Sequence, residues 1–212
     1  MDSQLKREIL HIFFPNRCPV CSDLLYSSDT FCEECKAKFT LYSGDSFKPE
    51  HSDGYSAPFE YDENISPAIV LLKRGICGNS AYALGNALAE KLKSENISAD
   101  FIVPVPMYRS DEKKRGYNQA YLIAKEVSII LDIPICSAVK KIRRTAEQKT
   151  LGKTERRKNL ENAFKVVQTV RNKRIILIDD VCTTGSTFSE ISGLLKENGA
   201  EYVYCASCCK TP

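Results

Sequence analysis

Histidine is almost absent from this chain. His11 and His51 are the only two in 212 residues, and neither falls in the half that carries the most distinctive motif, so no conventional imidazole general base is visible there. No apolar run is long enough to span a membrane. The first fourteen residues, MDSQLKREILHIFF, contain Asp2 and Glu8 and are interrupted by His11, unlike the apolar stretch of a secretory signal. A cytoplasmic protein without membrane insertion is expected. Internal repeats and low-complexity tracts are missing too. The net charge of +3 is ordinary, and no interleaved basic and aromatic groove marks a single-strand binder. What is present is 43% hydrophobic residues, enough for one domain with a proper core plus a small appendage. Leu5, Ile9, Ile12 and Phe13 fall on one helical face, which predicts an N-terminal helix over 1–14 docked on that core and ended by Pro15.

Cysteine is abundant instead, with ten residues in a chain expected to lie where disulfides are disfavoured. Four are paired as CPVC (Cys18, Cys21) and CEEC (Cys32, Cys35). Two such knuckles supply four thiolates to one ion, the closed tetrahedral set of structural Zn2+, and predict a four-cysteine zinc finger over 15–42. Cys205 and Cys208 copy the spacing but sit in YVYCASCC, which reads as a strand; its alternation puts them on opposite faces and argues against a second metal.

Residues 43–62 read as a turn-rich linker with a short hairpin or lid at Tyr55–Tyr61. From 63 to 212 helical and strand patterns alternate: SPAIVLLKRG and AYALGNALAEKLKSE as helices, FIVPVP as a strand, NQAYLIAKEVSIILD as a helix, IPIC and RIILIDD as strands, TFSEISGLLKENG as a helix, AEYVYCASCC as a strand. The expected fold class is α/β, a mainly parallel sheet with helices on both faces, preceded by the zinc segment. Ligands of such sheets bind at the carboxyl ends of strands. RIILIDD ends there with Asp179 and Asp180, followed by Thr183, Thr184, Gly185, Ser186 and Thr187 and then a helix. Backbone N–H groups of that turn and the positive end of the helix form a phosphate cradle. Two carboxylates beside it repel a bare phosphate but suit a ligand with hydroxyls next to its phosphate, such as a sugar phosphate.

This order of residues resembles the phosphoribosyl-pyrophosphate (PRPP) motif of type I phosphoribosyltransferases. The wider series CPVC and CEEC, LLKRG, VPVPMYRSDEKKRGYNQA, RRTAEQ, RRKNLENAF and LIDDVCTTGST is similar to the ComF family, which joins a zinc finger to a phosphoribosyltransferase-like domain. The resemblance implies that Asp179 and Asp180 hold the ribose hydroxyls and Thr183 to Thr187 the 5′-phosphate, with Mg2+ accompanying PRPP. It places the loop Met107–Arg115 near the pyrophosphate and Arg143–Lys158 over the site. It also implies a role in natural transformation, handling incoming single-stranded DNA, with competence-machinery proteins as further partners.

The residues agree on charge. Arg109, Lys113, Lys114 and Arg115 leave the FIVPVP strand, where a polyphosphate needs cations. Segment 140–158 holds nine basic and two acidic residues, a net +7, and supplies Arg143 and Arg144 to the pyrophosphate side and Lys149, Lys153, Arg156, Arg157 and Lys158 to DNA. Asn118 and Gln119 would cap a helix or touch a ligand, and Lys73 and Arg74 end a helix whose dipole favours cations in any case. Purine-salvage relatives carry an acid three residues beyond the second acid of the motif; Thr183 stands there. Three readings stay open: a DNA-uptake factor that binds PRPP, an active phosphoribosyltransferase of unknown acceptor, and a PRPP-sensing regulator or scaffold.

Overall fold

The computed structural model describes residues 15–44, 47–74, 78–145, 160 and 162–212. The expected helix over 1–14 and the basic residues Lys149, Lys153, Arg156, Arg157 and Lys158 lie outside them. Two nine-residue strands, β6 (Arg174–Cys182) and β7 (Tyr202–Lys210), pair in parallel at the centre. Beyond β6 lies β3 (Phe101–Pro104), and beyond β7 lie β1 (Gly54–Ser56) and β2 (Phe59–Glu60), all parallel. Ile175, Ile176, Leu177 and Ile178 are all buried, which is why this strand shows no polar alternation: both of its faces are covered.

Helices α2 (Ser66–Lys73), α3 (Gly78–Ser94) and α5 (Gln119–Leu131) cover the face that carries Ile176, Ile178, Tyr204 and Cys208. Helix α6 (Ser186–Glu197) covers the face of Ile175, Leu177, Val203 and Cys205. Cys205 and Cys208 thus bury on opposite faces, as core thiols. Asn118 caps α5 by accepting from the Ala120 N–H at 3.0 Å, and Gly199, at φ +86, takes the left-handed turn just after α6.

Several expectations change. Residues 54–60 form no hairpin: β1 and β2 each pair with β7, not with one another. Asp53 explains the choice, because its carboxylate accepts the Val203 N–H at 2.7 Å and pairs with Lys196 at 2.6 Å, drawing the segment onto the sheet edge. IPIC shrinks to one bridge, Ile135 to Ile102. The stretch after FIVPVP is not a loop but a short helix, α4 (Arg109–Arg115), with no buried residue. β4 (Val139–Lys141) and β5 (Phe164–Val166) make an antiparallel ribbon, which no sequence pattern announces, at the two ends of the basic segment.

The cysteine segment shares the core of the α/β body. Its short helix α1 (Glu33–Lys36) begins after Cys32, and Phe31, 3% exposed, meets Phe39 at 4.9 Å and Phe59 of β2 at 6.2 Å, edge to face. Asn79 and Tyr82 of α3 donate to the carbonyls of Arg17 and Ser28. Phe31→Ala removes a buried ring, a change worth about 3–5 kcal/mol, and is expected to lower the melting temperature of the whole chain by on the order of 10 °C. Calorimetry of the zinc-loaded protein checks it; two transitions, with only a small one displaced, would mean that the segment folds by itself.

Candidate functional site

β6 runs two residues further than its apolar run suggests, through Val181 and Cys182, so Asp179 and Asp180 are strand residues at the carboxyl end of the sheet and the loop is only Thr183–Gly185. Each carboxylate is held by the backbone just after it. Asp179 Oδ1 accepts the Asp180 N–H at 2.9 Å, and Asp180 Oδ1 accepts the Val181 N–H at 2.8 Å. Gly185 is the N-cap of α6 at φ +79 and has no capping side chain of its own, while the Thr184 hydroxyl receives the Ser186 N–H at 3.4 Å. Thr184 and Ser186 hydroxyls bond each other at 2.7 Å, while Thr183 is exposed and Thr187 half-buried.

Sequence alone explains Lys73 by the helix dipole. In the fold its ammonium reaches across from the end of α2 to Asp180 Oδ2 at 3.0 Å, against a carboxylate side chain only 15% exposed. Tyr117 donates to the Leu72 carbonyl at 2.7 Å and Asn118 to the Val105 carbonyl at 2.9 Å, tying the end of α2 and the start of α5 to the carboxyl end of β3. Burial works against the charge of Lys73, but Asp180 and then Asp179 outweigh it and hold its pKa above the ordinary lysine value. For Asp179 burial and then the charge of Asp180 push the carboxyl up to about 8, despite the Asp180 N–H and Lys73. Lys141 of β4 faces the same acid from the ribbon side; burial lowers its pKa, partly offset by Asp111 and Asp179.

The cations expected around a pyrophosphate divide. Arg109, Lys113, Lys114 and Arg115 on α4 are exposed, as are Arg143 and Arg144. Arg144 pairs with Asp111 at 3.2 Å, joining α4 to the end of β4, an exposed contact of small energetic weight. Two other features have no signature in the sequence. The Phe47 ring lies over the Thr183–Gly185 loop, 2.9 Å from where a Cβ on Gly185 would stand, so glycine is required there by contact as well as by φ. Tyr55 of β1 bonds Ser207 at 2.7 Å and lies beside the Phe188 ring of α6, setting the floor under that loop. A cavity of about 430 Å³ opens between residues 47–51 and the start of α6, lined by Phe47, His51, Thr184, Ser186, Ser189 and Glu190.

Two metals are expected from the sequence, and the donors differ in fit. The Sγ atoms of Cys18, Cys21, Cys32 and Cys35 lie within 4.8 Å of one another, Cys21 and Cys32 at 3.5 Å, where a tetrahedral Zn2+ with bonds of about 2.3 Å needs edges of about 3.8 Å. Burial is the largest influence on the thiols of Cys18, Cys21 and Cys35. It lifts Cys21, and Cys35 to about 11, whereas N–H groups of Cys21, Cys32 and Val20 overcome it at Cys18 and bring that thiol to about 7. Loading zinc therefore expels protons. The acidic pair does not fit a protein-held Mg2+: one carboxylate already carries an ammonium and the other a proton below about 8.

Asp179 makes stability depend on pH. Its folded pKa of about 8 exceeds the unfolded value of about 3.9, so the folded state keeps the extra proton between them and stability falls as pH rises through that window. Asp179→Asn is expected to match wild type near pH 3.5 and to melt increasingly above it as pH rises through that window, by on the order of 10 °C near pH 9. Parallel melting curves for the two proteins would contradict the assignment.

Comparison with known proteins places this geometry. The phosphoribosyl transferase domain family matches residues 79–212 and the double zinc ribbon domain family residues 9–46. The latter segment holds four cysteines, which suggests one structural zinc rather than two. Competence protein F of Haemophilus influenzae is 32% identical over 92% of this chain and 90% of its own length. DNA utilization protein YhgH of Escherichia coli K12 is 34% identical with the same shares. Among solved structures, the adenine phosphoribosyltransferase of Leishmania tarentolae matches at a TM-score of 0.40 and 21% identity, covering 86% of this chain and 75% of that one. With a parallel sheet ending in Asp179–Asp180, a helix started by Gly185 behind it and four facing thiols ahead of it, the chain belongs to the phosphoribosyl transferase domain family, in the group of competence protein F and YhgH.

Proposed function

We propose that this protein serves DNA uptake and utilization in the cytoplasm, handling single-stranded DNA, and that its α/β domain binds PRPP or a related sugar phosphate. The observation that supports the ligand is the pairing of two strand-end carboxylates with a glycine-led helix start beside Thr184 and Ser186, hydroxyl acceptors next to an anion seat. Asp179 would accept from a ribose hydroxyl with the Lys73-paired Asp180 beside it, and the turn from Thr183 to Thr187 would take the 5′-phosphate. PRPP would bring Mg2+ on its own ribose and pyrophosphate oxygens, neutralising part of that charge. Lys141, and Arg109 and Arg143 at the rim, would meet the rest. Binding is favoured over turnover, because Thr183 stands where purine-salvage relatives carry an acid and no histidine occurs beyond His51.

The DNA role draws on what the two relatives are named for and on the charge of segment 140–158. Components of an uptake machinery would be its protein partners. The ligand reading is tested by Asp179→Asn with Asp180→Asn, measured by calorimetry at pH 8.5. Hydrogen bonds to charged groups are worth about 1.5–3 kcal/mol each and do not add fully, so PRPP is expected to lose about 2–4 kcal/mol, or about 30- to 1,000-fold. Inorganic phosphate should bind more tightly, because the cradle survives and two negative charges have gone. Tighter PRPP binding would mean that these carboxylates do not hold the sugar.

The DNA reading predicts single-strand binding that weakens steeply with salt. Reversing Arg156 and Arg157 to Glu should weaken it and reduce the slope of log affinity against log salt by at least about 1.4. Fluorescence anisotropy with a labelled oligonucleotide decides; binding indifferent to both salt and these changes would take DNA off this segment.

A further inference from the structure

The ion pair between Lys73 and Asp180 joins two elements far apart in sequence. Asp180 has both oxygens committed, Oδ1 to the Val181 N–H and Oδ2 to Lys73 Nζ at 3.0 Å. Asp179 has Oδ1 on the Asp180 N–H, and its carboxyl lies within hydrogen-bonding reach of the Asp180 side chain. The Asp179 carboxyl is thus the acceptor for a hydroxyl, with an ammonium that has donors to spare beside it. A divalent ion seated on this pair would have to share Asp180 Oδ2 with a positive charge 3.0 Å away. Lys73 is also not a wandering surface side chain at its base: Leu72 is fully buried, and its carbonyl is held by Tyr117.

We propose that Lys73 is the resident cation of the acidic pair, taking the place of a divalent metal, so that the site receives a phosphorylated sugar without any metal held by the protein. The inference rests, for its ligand, on the sugar-phosphate reading, but the lysine's own role is measured without that ligand. In the ligand step the ammonium stays on Asp180 and neutralises it, so that the approach of the anionic sugar phosphate is not opposed by two bare carboxylates. Asp179 accepts the hydroxyl, and a second donor position of Lys73 is available to a sugar or phosphate oxygen.

The experiment uses the zinc-loaded protein in metal-stripped buffer without chelator, and two probes. The first is Mn2+ alone, followed by water-proton relaxation. Wild type is expected to show at least about tenfold weaker uptake than Lys73→Met, whose pair is left without a counter-charge. Lys73→Arg should behave as wild type, and the gain of Lys73→Met should vanish when Asp179→Asn and Asp180→Asn are added. The second probe is ribose 5-phosphate by calorimetry. Wild type should bind it equally with and without Mg2+, while Lys73→Met should lose about tenfold without Mg2+ and recover when it is supplied. Wild-type Mn2+ uptake equal to that of Lys73→Met overturns the proposal, as does wild-type sugar binding that requires Mg2+. If ribose 5-phosphate binds to no variant, the sugar-phosphate reading and the ligand part of the proposal fall together, and the Mn2+ series still decides whether Lys73 holds the cation position.

Discussion

Burying carboxylates at the end of a strand covered on both faces is the constraint from which the rest of the site follows. The pair sits at the end of four consecutive buried residues, Ile175 to Ile178, in a position where full charge on both acids is costly. Three compensations are present. The backbone N–H groups of Asp180 and Val181 turn back onto the acids, Lys73 is brought in from α2, and Asp179 retains its proton up to about 8. The apparent contradiction of two acids beside an anion seat is thereby reduced. Near neutral pH the group of three side chains carries little net charge, so the helix start behind Gly185 is not opposed by it.

Local pairing of the same kind joins the amino-terminal part to the body. Asp53 meets the Val203 N–H and Lys196, which sets β1 on the edge of β7 and carries Tyr55 to Ser207 and the Phe188 ring. Earlier in the same stretch, Phe47 covers Gly185 and takes the Lys210 ammonium over its ring at 4.7 Å. Later in it, Phe59 of β2 closes the aromatic group of Phe31 and Phe39 next to the cysteines. One segment, from Phe47 to Phe59, thus meets both the aromatic group of the cysteine segment and the Thr183–Gly185 loop.

What is legible in the sequence is what obeys local rules. Cys-x-x-Cys spacing brings two thiols to one point without help from distant residues, and the set of four is readable for that reason. Asp179, Asp180 and Gly185 are readable because strand, turn and helix follow one another over a short stretch of chain. Gly185 at φ +79 is the residue such a turn needs. The helix dipole offers Lys73 a sufficient local explanation, and only the approach of α2 to β6 reveals its partner. β1 and β2 read as a hairpin because neighbouring short strands usually pair with each other; their bonds go instead to β7, at the far end of the chain. The β4–β5 ribbon is hidden for the same reason, its strands being three residues each and separated by the basic segment.

The placement of charge explains why the body can be of ordinary net charge and still present a cationic side. Acids are engaged where they have structural partners: Asp53 on β7, Asp100 on the Arg174 N–H at 2.7 Å, Asp62 on Thr40 and on the N–H groups of Asn64 and Ile65, Asp180 on Lys73. The basic residues Arg109, Lys113, Lys114 and Arg115 of α4 and Arg143 and Arg144 after β4 are exposed. Tyr108 and Lys141 bridge these two elements, and Arg144 with Asp111 does so again, so that α4 and the ribbon form one rim beside the acidic pair. Lys141 belongs to both, subject to the field of Asp179 on one side and lying 5.7 Å from the centre of the Phe164 ring. A polyanion approaching that rim meets its cations first and the neutralised pair afterwards, which is the order that a ligand with hydroxyls near one end and negative charge along the rest of its length requires.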